Sequence, residues 1–254
     1  MASLEELVRP GVYPRSSRYD PAWLVRLDMG PNPLWLLEDL CSDLELRPGM
    51  RVLDLGSGMG ATSVFLAREF DAEVFATDLW VPADEAAAVF AEAGVGDRVH
   101  AIHAEAHALP FARDHFALIT CIDSYEYFGT DVRYLGYITG FLKPGGQLGV
   151  ATAAMKREPS DLGGIPDHIR ACIDGEAAAW HTAEWGRFHW EVTELVTDVT
   201  ARLQPSAWHD WLLWSRVCRD NGSAHPEMVE SSIEMLEADG GELLSFALLT
   251  ARRR

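Results

Sequence analysis

The chain has 254 residues, 48% of them hydrophobic, which is enough for a single domain with a substantial core. Its formal charge of −18 and its pI of about 4.8 repel phosphate backbones and anionic lipid surfaces, so we expect no nucleic-acid or membrane partner. The four cysteines are scattered without a C-x-x-C pair, and neither a signal peptide nor an apolar run of membrane-spanning length is visible. These features predict a reducing, cytoplasmic setting.

The first twenty residues are polar and include Pro10 and Pro14, which predicts an irregular N-terminal arm. This arm could close over a ligand as a lid, with Tyr13 and Tyr19 as its contacts, or it could be a loose terminus. Residues 32–46 have the spacing of an amphipathic helix that begins at Asn32.

The decapeptide "RVLDLGSGMG", residues 51–60, predicts a strand that ends in a glycine-rich turn and continues into a helix. Glycines permit positive φ and remove side-chain bulk, so a ligand can approach the backbone closely. The start of the helix offers unpaired N–H groups and the positive end of a dipole. Gly56, Gly58 and Ala61 also satisfy the dinucleotide pattern G-x-G-x-x-G/A, so the loop alone does not identify the ligand.

Strands and helices alternate over the next ninety residues, which predicts an α/β fold with a doubly wound parallel sheet. Ligands of such sheets bind beyond the carboxyl ends of the strands. After residue 155 the pattern loosens into helical stretches and two further strands. The predicted strands after the first are 73–80, 99–106, 116–123, 147–154, 196–203 and 241–254, and the predicted helices between them include 82–95 and 131–142.

Acidic residues stand in or at the ends of the first four strands: Asp54, Asp78, Glu105 and Asp123. A carboxylate that closes the second strand can accept both hydroxyls of a ribose, and this holds in dinucleotide enzymes too. Asp78 therefore predicts a ribose-containing ligand without naming it. Glu105 could accept a hydrogen bond from an adenine amino group.

Five segments in this order resemble the class I S-adenosylmethionine-dependent methyltransferases. They are "VLDLGSGMG", "ATDLW", "HAEAHALPF", "CIDSYEYFG" and "FLKPGGQLGV", and they cover about residues 35–155. The similarity is greatest to the small-molecule branch that includes ubiquinone and menaquinone methyltransferases. It implies a Rossmann-like sheet of seven strands whose last strand is antiparallel.

The resemblance also implies one methyltransferase domain over residues 1–254, with a helical cover formed by the N-terminal arm and C-terminal insertions. Within it, residues 1–45 would be the arm and lid helix, and residues 46–155 the cofactor-binding core. Residues 156–254 would supply the helical cover and the last two strands.

A set of residues that would contact S-adenosylmethionine follows from the resemblance. Glu105 stands where the family more often has Asp. The implied contacts are Asp54, Gly56, Ser57, Gly58 and Gly60 beside the methionyl part, Asp78 for the ribose, Leu79 and Trp80 against the adenine, Glu105 and Ala106 at its polar edge, Asp123 near the methionyl amine, and Tyr19 from the arm.

Three residues after the fourth strand are candidates for the catalytic step: Tyr125, Glu126 and Tyr127. They could orient an acceptor or take its proton, or they could only pack against the cofactor and the next helix. His103, Glu105 and His107 alternate in a way that could bind a metal, but the strand should break near Glu105, so no metal is expected.

Six tryptophans between residues 180 and 214 could form an aromatic wall for a planar or cationic acceptor, or they could pack a helical cover onto the sheet. The predicted function is methyl transfer from S-adenosylmethionine to a small molecule by in-line displacement. The alternatives are a nicotinamide-dependent oxidoreductase and a non-catalytic S-adenosylmethionine-binding regulator. The sequence does not indicate which atom is methylated or the oligomeric state.

Overall fold

The computed structural model describes residues 1–173 and 175–254. Its centre is a seven-stranded sheet in the order β3-β2-β1-β4-β5-β7-β6, in which β7 runs antiparallel to both of its neighbours. This confirms the predicted doubly wound sheet with an antiparallel last strand. The strands are Arg51–Leu55 (β1), Glu73–Asp78 (β2), Val99–His103 (β3), Phe116–Ile122 (β4), Leu142–Met155 (β5), Val196–Leu203 (β6) and Leu244–Arg253 (β7).

Strand β1 lies at the centre of the sheet, between β2 and β4, and its apolar run reflects burial on both faces. Val52 and Leu53 are both fully buried on it. From β1 the chain winds first to β2 on one side and later to β4 on the other. The carboxyl end of β1 is therefore the switch point where ligands of such sheets bind.

Helices cover both faces of the sheet. Most of the predicted helices are present, although the one expected over 32–46 is shorter. The α-helices of the described residues are Pro21–Arg26 (α1), Pro33–Cys41 (α2), Ala61–Phe70 (α3), Ala83–Glu92 (α4), Tyr134–Thr139 (α5), Asp167–Arg170 (α6), Ala183–Glu191 (α7), Ala207–Asp220 (α8) and Pro226–Asp239 (α9).

Strand β5 begins five residues earlier than the sequence pattern predicts, at Leu142 instead of residue 147. Leu142 pairs with Phe116 of β4, and the register then shifts before Gln147 pairs with Leu118. The turn-like "KPGG" is thus an irregular start of the strand, where Gly145 takes φ +75°. The predicted helix over 131–142 is correspondingly shorter.

The N-terminal arm packs onto α2 and α8. Glu38 of α2 accepts the backbone N–H groups of Arg15 and Ser16 at 2.8 and 2.7 Å. The Tyr13 ring stacks on Trp35 with 5.2 Å between centroids, and its hydroxyl donates to Asp210 of α8. These contacts anchor the arm at both its backbone and its side chains, so it is not a loose terminus.

Within residues 1–173 and 175–254, no helix is both long and apolar enough to cross a membrane. Cys41, Cys121, Cys172 and Cys218 are all free thiols.

Candidate active site

A cavity of about 310 Å³ lies beyond the carboxyl ends of β1, β2 and β4. Its walls are the turns that follow β1, β2, β3 and β4, together with residues 27–33 between α1 and α2. We call residues 27–33 the roof segment. The position is the one expected for the ligand of a doubly wound sheet.

The glycine turn after β1 forms one wall of the cavity. Gly56 and Gly60 take φ +69° and +90°. A Cβ atom on Gly56 would lie 2.1 Å from Oγ of Ser124, and one on Gly60 would lie 2.3 Å from the Phe90 ring. Both positions therefore require glycine for conformation and for space.

The amide groups of this turn bond largely within the protein. The N–H groups of Gly56 and Ser57 both donate to the carbonyl oxygen of Thr77, at 2.9 and 3.0 Å. The N–H of Gly58 donates to Asp78 at 2.8 Å. The turn thus offers a ligand close approach to its backbone surface rather than a row of free donors.

Asp78 ends β2 at the cavity wall and organises the turns on either side of it. Its Oδ2 accepts the Gly58 N–H, and its Oδ1 accepts the N–H groups of Trp80 and Val81 at 2.7 and 2.9 Å. A carboxylate oxygen can accept more than one hydrogen bond, so Oδ2 retains capacity for a ligand hydroxyl. The side chain is partly exposed and lines the cavity.

Asp54 lies beneath the glycine turn and does not line the cavity. Its Oδ2 accepts the hydroxyls of Thr62 and Ser63 at 2.6 Å each, and its Oδ1 accepts the hydroxyl of Thr120 at 3.2 Å. Burial raises the pKa of its carboxyl, and these hydroxyl groups oppose that shift. The geometry favours a role in fixing the start of α3 over direct contact with a ligand.

Asp123 follows β4, lines the cavity and takes φ +53°, which is unusual for a residue other than glycine. Its carboxylate has no hydrogen-bond donor among the residues that the structure describes. Burial raises its pKa well above the ordinary value, and the nearby Glu126 and Glu176 raise it further. An acid held this way would be stabilised in its ionised form by a cationic ligand group.

Leu79 and Trp80 follow Asp78 and are largely exposed at the edge of the cavity. The Trp80 ring meets Tyr127 edge to face, with 5.3 Å between centroids. This pair joins the turn after β2 to the turn after β4 across the cavity mouth. Tyr127 itself lines the cavity.

Glu105 and Ala106 also line the cavity, in the turn after β3. His107 forms hydrogen bonds with both carboxylate oxygens of Glu105. Its Nδ1 lies 2.7 Å from Oε1, and its backbone N–H donates to Oε2 at 2.9 Å. The hydrogen bonds from His107 hold the pKa of Glu105 below its usual range.

His103 points elsewhere, to the carbonyl oxygen of Leu79 at 2.7 Å. No cluster of three His, Cys, Asp or Glu residues with the geometry to hold a metal occurs in residues 1–173 and 175–254.

The roof segment was not predicted from the sequence. A Cβ atom on Gly30 would lie 2.6 Å from Oδ2 of Asp123, and one on Gly58 would lie 3.0 Å from the sulfur of Met29. The roof therefore closes directly over the glycine turn and the Asp123 carboxylate. The "GPNP" run at residues 30–33 marks a fixed turn in the sequence, but nothing in the sequence shows what it covers.

Buried contacts with the C-terminal cover hold the roof segment in place. The Trp214 indole N–H donates to the carbonyl oxygen of Gly30 at 2.7 Å. Asp28 is buried and accepts the Ser223 hydroxyl at 2.7 Å and the Gly30 N–H at 3.2 Å. At least one of the clustered tryptophans thus supports the cavity from outside instead of lining it.

Tyr125 and Glu126 line a second, smaller cavity of about 30 Å³ between α7 and strands β5 and β7. Glu126 is buried and accepts the Thr152 hydroxyl at 2.6 Å. Burial raises the pKa of Glu126 to about 7. The Tyr125 hydroxyl is buried without a hydrogen-bond partner among the described residues. Of the three predicted catalytic residues, only Tyr127 lines the main cavity.

The structure does not bring Tyr19 to either of these cavities. Its ring packs between Trp23 and Phe65, with centroid distances of 6.0 and 5.8 Å. Tyr19 therefore packs against α1 and α3, and its predicted contact with a ligand has no geometric support.

Comparison with known proteins finds a match in the central region. Residues 52–146 match a family model described as a methyltransferase domain. This region contains the glycine turn and every predicted cavity residue from Asp54 to Tyr127.

Two curated relatives share part of the sequence. One is Methyltransferase GfsG of Streptomyces halstedii, 29% identical over 68% of this chain and 58% of the relative. The other is the 27-O-demethylrifamycin SV methyltransferase of Amycolatopsis mediterranei, 26% identical over 86% of this chain and 82% of the relative. This chain thus spans little more than half the length of the first of these.

A solved structure of similar fold is Haemonchus contortus phosphoethanolamine N-methyltransferase 2 in complex with phosphomonomethylethanolamine and S-adenosylhomocysteine. The TM-score is 0.73 at 16% identity, over 100% of this chain and 60% of that chain. At this identity the likeness concerns the fold.

Proposed function

We propose that this chain is a class I S-adenosylmethionine-dependent methyltransferase that methylates a small-molecule acceptor by in-line displacement, a proposal supported by its methyltransferase-domain match and its sheet order. The observation that carries the proposal is the Asp123 carboxylate in the cavity, which lacks a donor among the described residues and has a raised pKa. S-adenosylmethionine, the cofactor of this class, carries an ammonium group that would form an ion pair with the Asp123 carboxylate.

The rest of the cavity fits the same molecule. Asp78 at the end of β2 has capacity for ribose hydroxyls beside its three backbone hydrogen bonds. Leu79 and Trp80 offer an apolar surface for adenine, and Gly56 and Gly60 form a cradle that Cβ atoms would block. Asp54 would act indirectly, by holding the start of α3.

When bound, S-adenosylmethionine supplies an electrophilic methyl group beside a sulfonium charge. The chain's own residues would do the rest by positioning and by excluding water. The roof segment and the Trp80–Tyr127 pair would close the site around the reacting groups. Glu126, whose pKa burial raises to about 7, lines the second cavity, so it would hold or take the proton of an acceptor that reaches that cavity from the main one.

The comparisons support a small-molecule acceptor. One relative is named as a 27-O-demethylrifamycin SV methyltransferase, and the structural neighbour is in complex with phosphomonomethylethanolamine, so both names point to small-molecule acceptors. We propose the same general class of acceptor here, in a cytoplasmic protein.

Titration calorimetry with S-adenosylhomocysteine and, separately, with NAD⁺ and NADH tests the cofactor. We expect binding of S-adenosylhomocysteine alone; nicotinamide binding in its place would indicate the oxidoreductase. A second measurement follows transfer of label from methyl-labelled S-adenosylmethionine to phenols, amines, thiols and quinone-like compounds. Cofactor binding without transfer to any compound would favour the regulator.

A further inference from the structure

The charged side chains that line the main cavity are acidic. Its ionisable lining residues are the three acids Asp78, Glu105 and Asp123 together with His107 and Tyr127. Of the chain's 21 lysine and arginine residues, none lines this cavity among the residues that the structure describes. The cavity therefore has no side-chain cation to pair with a phosphate, sulfate or carboxylate group.

Further acids stand close to the β4 end of the cavity. Glu126 and Glu176 both act electrostatically on Asp123, and Glu176 also acts on the Tyr127 phenol. Even when the ammonium of the cofactor pairs with Asp123, two carboxyl groups remain near that end. An anionic acceptor would meet like charge there.

The remaining wall is apolar. The roof segment contributes Leu27, Met29, Pro31 and Pro33, and Phe128 lines the cavity after β4. An apolar ligand that binds to such a wall removes apolar surface from water, which favours binding. A charged ligand group would instead lose its hydration and gain no partner of opposite charge.

We infer that the acceptor is an apolar molecule that is uncharged or cationic where it enters the cavity, and that the site discriminates against acceptors bearing a phosphate, sulfate or carboxylate there. This inference rests on the proposed function, because it concerns the acceptor of the same site. It narrows the acceptors to classes such as phenols, alcohols and hydrophobic amines.

The test uses three probes with the same carbon skeleton: 3-phenylpropan-1-ol, 3-phenylpropylamine and 3-phenylpropanoate. Their dissociation constants are measured on the full chain saturated with S-adenosylhomocysteine, at pH 8, above the pKa of about 7 of Glu126. We expect the alcohol and the amine to bind at least about ten-fold more tightly than the carboxylate, as like-charge repulsion requires. Equal affinities for all three, or tighter binding of the carboxylate, would overturn the inference.

A positive charge introduced on the cavity wall tests whether the carboxylate probe binds in this cavity. Tyr127→Arg places the missing cation on the cavity wall and should raise affinity for 3-phenylpropanoate. Val132→Arg adds the same charge at a residue that is 79% exposed and does not line the cavity, so it should change little. A similar gain in both variants would mean that the probe binds elsewhere and would also overturn the inference.

The two proposals fail in different ways. If S-adenosylhomocysteine does not bind, the proposed function itself is wrong. If it binds and the carboxylate probe is preferred, only the acceptor class is wrong.

Discussion

Gly58 donates its backbone N–H to Oδ2 of Asp78 at 2.8 Å, so the glycine turn after β1 is bonded to the last residue of β2. The same carboxylate holds the N–H groups of Trp80 and Val81 through its other oxygen. One side chain thus sets the positions of two cavity walls. Its loss should affect a ligand both directly and through these walls.

Asp78→Ala should weaken S-adenosylhomocysteine binding by about 1.5 to 3 kcal/mol, the usual cost of losing charged hydrogen bonds. Titration calorimetry measures this change. Asp84→Ala is the matched control, because Asp84 is an exposed acid in the first turn of α4 outside the cavity. Unchanged affinity in Asp78→Ala would remove Asp78 from the site.

Gly30→Ala should weaken cofactor binding because its Cβ would lie 2.6 Å from the Asp123 carboxylate and force the roof or the acid to move. Overpacking of this kind typically costs about 1–3 kcal/mol. Gly11→Ala is the control, since a Cβ there meets nothing within 4 Å. If both variants bind S-adenosylhomocysteine as the parent does, the roof does not position Asp123.

Glu126→Gln should lower the turnover rate about a hundredfold to ten-thousandfold if Glu126 is a general base, while cofactor affinity stays nearly unchanged. The pKa of Glu126 is about 7, so the parent rate should rise with pH through about 7 and then level off. The variant should lose this rise. Turnover of an identified acceptor between pH 5 and 9 measures both effects.

Tyr127→Phe provides the comparison for Glu126→Gln, because it keeps the ring and removes only the hydroxyl. A positioning role for Tyr127 would appear partly in the KM for the acceptor. If Glu126→Gln shows the parent rate and the parent pH profile, Glu126 has no part in proton transfer.

Tyr125→Phe should leave turnover close to that of the parent and should not lower the free energy of unfolding. The Tyr125 hydroxyl is buried without a partner among the described residues, so its removal relieves a desolvation cost. Urea unfolding and turnover measurements test the two statements. A large loss of turnover in a stable variant would instead support the catalytic role predicted for Tyr125.

Glu126 should also make folding stability depend on pH. Burial raises its pKa from 4.5 to about 7, so between these values the folded protein holds a proton that the unfolded chain has released. This contribution to stability is present below pH 4.5 and is lost as the pH rises through about 7. The parent should therefore lose stability relative to Glu126→Gln between pH 5 and 8.

Urea unfolding at both pH values measures this difference, with Glu85→Gln on the exposed side of α4 as the control. A constant difference between the parent and Glu126→Gln would show that the pKa of Glu126 is not raised.

The sequence determined the first half of the fold closely. The apolar runs are buried strands, and the turn after β1 is rich in glycine because only glycine fits the φ angles and the close contacts at Gly56 and Gly60. Asp78 and Asp123 could be assigned to the cavity because the carboxyl ends of parallel strands meet at one edge of a sheet. These are local patterns combined with one general rule of topology.

The orientation of individual side chains needed the tertiary structure. Asp54 lies only two residues before Gly56, yet its carboxylate turns to the hydroxyls of α3 and away from the cavity. Tyr125 and Glu126 are adjacent to Tyr127, but the short 3-10 turn Tyr125–Tyr127 points them toward a different cavity. The rotation of the turn between one residue and the next decides which cavity a side chain faces, and the sequence pattern does not predict that rotation.

The roof could be assigned only from the folded chain. Asp28 and Gly30 are held by Trp214 and Ser223, which lie more than 180 residues away in the sequence. Local propensity and periodicity describe contacts within a few residues, so they carry no information about such a pair. The sequence thus determined the sheet and its ligand edge, whereas long-range packing decided what closes over that edge and which acids face it.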